Sequence, residues 1–133
     1  MTIVVGYVPT GEGGAALDAA IAEARLRNER LYVLNSSSTQ RIVDDANVTD
    51  DEWSVVDQTL ASSRLPYQLS RVRTDRDAAD ELVGAAERLA AQLVVIGLRH
   101  RTVTGKFLFG SNAQRILLEA PCPVLAVKSR YES

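Results

Sequence analysis

The residues best suited to chemistry lie between positions 97 and 115. Gly97 closes an apolar run that starts at Leu93. After it come Arg99, His100, Arg101, Thr102, Thr104, Gly105 and Lys106, a loop of cations and small residues. Gly110-Ser111 then opens a helical pattern that contains Arg115. The segment reads as strand, anion-accepting loop and helix. The first N–H groups of a helix have no partner inside it, and the helix dipole adds positive potential there. Glycine, a serine hydroxyl and cations delivered to that point suit a phosphate. No acidic residue stands between Glu87 and Glu119, so the local potential is positive although the chain carries a net charge of −2. Any one of these cations alone is an ordinary solvated side chain; their grouping beside a helix start favours an anion. Arg115, four residues after Ser111, can instead point away.

Other chemistry is harder to assemble. Gly105-Lys106 is followed by Phe107, so the hydroxyl that a Walker loop places on its metal is missing. Gly11-Glu12-Gly13-Gly14 is not a dinucleotide fingerprint, since its third glycine is out of place. His100 is the only histidine. It can stack on a base or titrate near neutral pH, but a lone loop histidine is more often a surface residue. Cys122, the only cysteine, sits between Pro121 and Pro123 and reads as a buried, inert thiol. Asp44, Asp45, Asp50, Asp51 and Glu52 form a charge run that suits a solvated loop and helix start better than a metal site. No nucleophile and base can be paired, so neither catalytic nor metal-binding residues are expected.

The elements that must position these residues follow from the chain's periodicities. Its 133 residues form one domain, 1–133, with ordinary apolar and charged content. A net charge of −2 gives no reason to expect nucleic acid. No run approaches the ~20 apolar residues of a membrane helix. The N-terminus enters a strand pattern directly, with no signal-peptide pattern, and one cysteine fits a reducing cytoplasm.

Residues 3–7 read as strand one and 8–14 as a loop of proline and glycine. Residues 15–28 carry a helical period through Ala16, Leu17, Ala20, Ile21 and Ala24. Residues 30–35 are strand two, followed by a polar exit loop, 36–39. Thr49 and Glu52 match a capping box, so helix two runs over residues 50–63 and buries Trp53, Val56 and Leu60. Residues 66–72 alternate as strand three, with Tyr67, Leu69 and Arg71 on one side. Helix three covers 75–91 and buries Ala78, Ala79, Leu82, Val83, Ala86 and Leu89. Residues 93–96, the helix from Gly110-Ser111, and the short strand 124–127 complete the alternation. Strands alternating with helices imply a parallel sheet covered on both faces. Ligands of such sheets bind beyond the carboxyl ends of the strands, where strand order reverses.

Gly97-x2-His100-x9-Gly110-Ser111, set between VVIG and APCPVLAVK, resembles the nucleotide-binding segment of the universal stress protein family, of the UspA type. That family's pattern is G-x2-G-x9-G-[S/T]. The resemblance extends over the whole chain, through VVGY, GGAALDAAIAEA and RLYVLNS, and the length matches a single-domain member. It implies an open α/β fold: a five-stranded parallel sheet of order 3-2-1-4-5, Rossmann-like, with helices on both faces. It also implies a stress-responsive regulator, a homodimer joined through strand five from Pro123 to Lys128, and no efficient catalysis. Carried over residue by residue, Gly97, Gly110 and Ser111 hold ribose and phosphates, with Asn112 and Ala113 offering amides. Arg99 adds charge. Magnesium can accompany the nucleotide, which is expected to be ATP.

Two positions depart from the pattern. His100 replaces its second glycine. Val8 falls where ATP-binding members usually have an aspartate, so the ribose loses a partner. Pro9 and Thr10 remain to line the site, and Asn35 can partly compensate. These departures leave a second reading open, a dimeric protein-interaction module of the same fold that has lost ATP.

Overall fold

The computed structural model describes residues 1–39, 46–98 and 110–129. Nine elements alternate along the chain: β1 (Thr2–Gly6), α1 (Gly11–Arg27), β2 (Arg30–Ser38), α2 (Asp50–Ser63), β3 (Tyr67–Thr74), α3 (Ala78–Arg88), β4 (Leu93–Leu98), α4 (Ser111–Glu119) and β5 (Val124–Lys128). The strands form one sheet of order β3-β2-β1-β4-β5, parallel throughout. That is the expected fold and strand order.

The alternation of side chains along each strand divides the core in two. Ile3, Val5, Leu31, Val33, Leu93 and Val95 face α1 and α2, meeting Ala16, Leu17, Ala20, Ile21, Val56 and Leu60. Val4, Tyr32, Leu34, Val94 and Ile96 face α3 and α4, meeting Ala79, Leu82, Val83, Ala86 and Ile116. The inner strands are covered on both sides, which is why their sequences are continuous apolar runs. β3 and β5 are the edges and are only partly buried. No helix among the described residues is long and apolar enough to cross a membrane.

Helix two has the expected bounds. Its capping box is complete: the Glu52 amide donates to Thr49 Oγ1 at 3.1 Å, and the Thr49 amide donates to Glu52 Oε1 at 2.8 Å. Trp53 is only partly buried, because its ring lies at the rim against Tyr7, with centroids 6.3 Å apart.

Other boundaries differ from the sequence expectation. α1 starts at Gly11, not at residue 15. Thr10 caps it, its Oγ1 accepting the Gly13 amide at 3.3 Å, so the glycines are its first turn and not a loop. β2 continues through Ser38, because β3 offers it partners as far as Thr74. Residues 36–38 are therefore strand, and Ser36 and Ser37 are buried. α3 is shorter than expected: Asp77 is its N-cap and Leu89 its C-cap, and Ala90 turns left-handed at φ 50°.

Candidate functional site

β1 stops before its neighbours. Its last register pair with β2 is Gly6 with Leu34, and with β4 it is Val5 with Val95. β2 continues beside β3 to Ser38, and β4 continues beside β5 to Leu98. In open sheets of this kind the ligand crevice lies over such a strand end, where strand order reverses. In a parallel sheet, successive residues turn their main-chain groups to alternate neighbours. The Tyr7 amide donates to the Leu34 carbonyl at 2.9 Å, and the Thr39 amide donates to the Thr74 carbonyl at 3.0 Å. Even-numbered residues of β2 therefore face β1. Ser36 turns its N–H and C=O to the side on which β1 has ended.

A helix joining adjacent parallel strands runs back against them, so α1 and α4 both start at this end of the sheet. Gly110 is the N-cap of α4, with φ −64°, ψ 160° and no side-chain cap. The Gln114 amide is the first to bond back, to the Gly110 carbonyl at 3.1 Å. The amides of Ser111, Asn112 and Ala113 thus have no acceptor within the helix. No acidic residue stands in this first turn.

Gly97 is shaped by packing. A Cβ built on it would lie 2.7 Å from the Glu12 carbonyl carbon and closer still to its oxygen. The first turn of α1 is seated directly on the end of β4 there. Gly13 is equally constrained, since a Cβ on it would lie 2.7 Å from the Val8 carbonyl carbon and closer to its oxygen. Val8 and Thr10 are taken up with starting the helix. The Val8 carbonyl accepts the Thr10 amide at 2.8 Å, and the Thr10 hydroxyl caps Gly13. Pro9 stands between them, partly buried.

Asn35 is fully buried and already engaged. Its Nδ2 donates to the Tyr7 carbonyl at 3.0 Å and to the Ala46 carbonyl at 2.7 Å. Two carbonyl partners fix the amide's orientation and leave Oδ1 buried without a donor. Asn35 therefore ties the exit of β1 to the segment before α2. Beside it, burial pushes the Tyr7 hydroxyl above the usual tyrosine range, and the negative charge of Glu52 adds to the effect.

Arg115 is engaged at the start of α3. Its Nη1 reaches Asp77 at 3.1 Å, its Nη2 bonds to Asp80, and its Nε reaches Glu119 at 3.4 Å. Hydrogen bonds to Asp80 and then Glu119 raise its pKa further. Arg99 and His100, with Arg101 and Lys106, lie outside the described residues, as do Asp44 and Asp45. Asp50 pairs with Arg71 at 2.8 Å. Among the described residues no group of three His, Cys, Asp or Glu is placed to hold a metal ion. Cys122 is partly buried, and desolvation pushes its thiol up.

Three participants escaped the sequence reading: the Glu12 main chain, Gly13 and Ser36. The signal for the first two was Thr10 followed three residues later by glycine, an N-cap pattern masked by the surrounding glycines. Ser36 gave none, since only the ladder places its main chain.

An open α/β sheet with its crevice at a reversal of strand order, walled by a glycine–serine helix start, defines the doubly wound class. Residues 1–128 match the model of the Universal stress protein family, and the chain belongs to that family. It is 43% identical over 126 residues to a universal stress protein of Mycolicibacterium smegmatis, covering 95% of this chain and 96% of that relative. The solved universal stress protein from Archaeoglobus fulgidus is similar with a TM-score of 0.78 and 29% identity, over 96% of this chain and 98% of that one. The universal stress protein from the same organism in complex with dAMP is similar with a TM-score of 0.72 and 25% identity, again over 96% and 98%.

Proposed function

We propose that the crevice binds an adenine nucleotide, ATP with its magnesium, and that the protein is a stress-responsive regulator and not an efficient catalyst. One observation carries this reading. The amides of Ser111, Asn112 and Ala113, which have no acceptor within α4, and the Ser36 main chain stand at the strand end where β1 stops short. The amides suit phosphate, and an adjacent N–H and C=O suit the hydrogen-bonding edge of a base. The dAMP complex of the Archaeoglobus fulgidus relative supports it. Affinity is set back by Val8, which offers the ribose no acceptor. A missing hydrogen bond to a charged group costs ~1.5–3 kcal/mol, about ten- to a hundredfold in affinity.

The second reading, a dimeric interaction module without ATP, draws on the same end of β1. Val8 is apolar, the Thr10 hydroxyl is spent on Gly13, and the Asn35 amide is spent on Tyr7 and Ala46. In both readings β5 joins two copies: it is a sheet edge, and Leu125 on it is exposed.

Calorimetric titration with ATP and magnesium decides between them. Micromolar binding that Gly110→Asp or Ser111→Glu abolishes supports the nucleotide receptor. Binding weaker than millimolar supports the module. Equal affinity in wild type and both variants places the site elsewhere.

A further inference from the structure

α4 is weakly anchored by its own side chains. Ile116 is its one fully buried residue, while Leu118 is 85% exposed. α3, against which it lies, buries Ala79, Leu82, Val83, Ala85 and Ala86 and is the firmer of the two. Arg115 joins them. It stands one helical turn after Ser111, and its guanidinium is divided among three carboxylates. Two of these, Asp77 and Asp80, belong to the start of α3. Asp77 is the N-cap of that helix, yet its side chain makes no capping bond and is offered to Arg115 instead.

We propose that Arg115 is a positioning residue: it latches α4 to the N-terminal turn of α3 and so holds the Ser111, Asn112 and Ala113 amides in place for an anion. The proposal rests on the nucleotide reading of the crevice for its functional half only. Arg115 is assigned no direct contact with the anion. Its effect on binding passes through the placement of α4, whose exposed ion pairs are individually weak and act together.

Two measurements test it on the full chain. The first is hydrogen–deuterium exchange of α4 peptides without ligand. The second is calorimetric titration with ATP and magnesium. Arg115→Ala is expected to raise exchange in α4 about three- to tenfold, leave the β1 and β4 peptides unchanged, and weaken ATP by a similar factor. Arg115→Lys keeps the charge but not the fork, and is expected to recover part of both. Asp80→Asn tests the latch from the α3 side and should loosen α4 in the same direction. Unchanged α4 exchange in Arg115→Ala overturns the latch. Faster exchange everywhere, with no recovery in Arg115→Lys, also overturns it, by reducing Arg115 to a general structural role. Looser α4 with unchanged ATP affinity overturns the positioning claim. If wild type does not bind ATP, the nucleotide reading and the positioning claim fail together, and the α4 exchange still decides the latch by itself.

Discussion

Substituting Gly97 by alanine separates packing from ligand contact at the strand end. The added Cβ would lie 2.7 Å from the Glu12 carbonyl carbon and 3.0 Å from the Glu12 Cβ. Carbon atoms in good contact stand about 3.5–4.0 Å apart, so the first turn of α1 would have to retreat by about 1 Å. Glu12 meets Gly97 with main chain, and main chain held by a capped helix cannot swing aside as a side-chain tip can. Overpacking of this kind costs about 1–3 kcal/mol, a sizeable part of the ~5–15 kcal/mol by which a domain is stable. The assay is equilibrium urea unfolding of Gly97→Ala with no nucleotide present. The control is Gly84→Ala, within α3, where an added Cβ meets nothing within 4 Å. That control should gain ~0.4–1 kcal/mol through the unfolded chain. A Gly97→Ala protein within about 0.5 kcal/mol of wild type would refute the packing argument. Gly97 would then be free to serve a ligand alone.

Three further outcomes follow from the same geometry. Asn35→Ala strips two carbonyls, Tyr7 and Ala46, of their shared donor and should destabilise the fold by about 2–5 kcal/mol in urea unfolding. Asn35→Asp should be worse, since a carboxylate would face both oxygens. Stability should also fall at alkaline pH. The Tyr7 proton is held more tightly in the folded chain, mainly by burial, so its contribution is full below the ordinary tyrosine value of 10.0 and is lost as pH rises through the higher folded value. Tyr67, hydrogen-bonded to Asp57, moves in the same direction, and Tyr7→Phe should flatten part of the loss in urea midpoints above that pH. Finally, Val8→Asp should tighten ATP about ten- to a hundredfold in calorimetric titration, and unchanged affinity would count against the aspartate's proposed place beside the ribose.

Much of the fold was legible because its signals are local or periodic. Thr49 and Glu52 marked the start of α2 by two reciprocal hydrogen bonds that depend on spacing alone. The apolar runs at Ile3 and Leu93 declared strands covered on both faces. What failed to show were features set by a distant partner. Ser36 and Ser37 look like a loop until β3 pairs with them. In the sequence Arg115 could join the cation group or point away, and only the tertiary placement of Asp77 and Asp80 shows where it is engaged.

Gly97 carries the same ambiguity into the site itself. A strand-end glycine reads alike whether the space beside it belongs to a ligand or to another stretch of chain, and here Glu12 occupies it. The α1 wall of the crevice is accordingly main chain against main chain, with Gly13 on Val8 and Gly97 on Glu12, and it has few side-chain groups left to offer. On the proposed nucleotide reading, the described groups left for recognition lie on two other elements, the α4 amides and the Ser36 main chain. Both are backbone groups. Substitutions that move α4 or β2 should therefore harm binding more than substitutions that merely change a lining side chain, and Thr10→Ser, which keeps the cap, should bind ATP as wild type does.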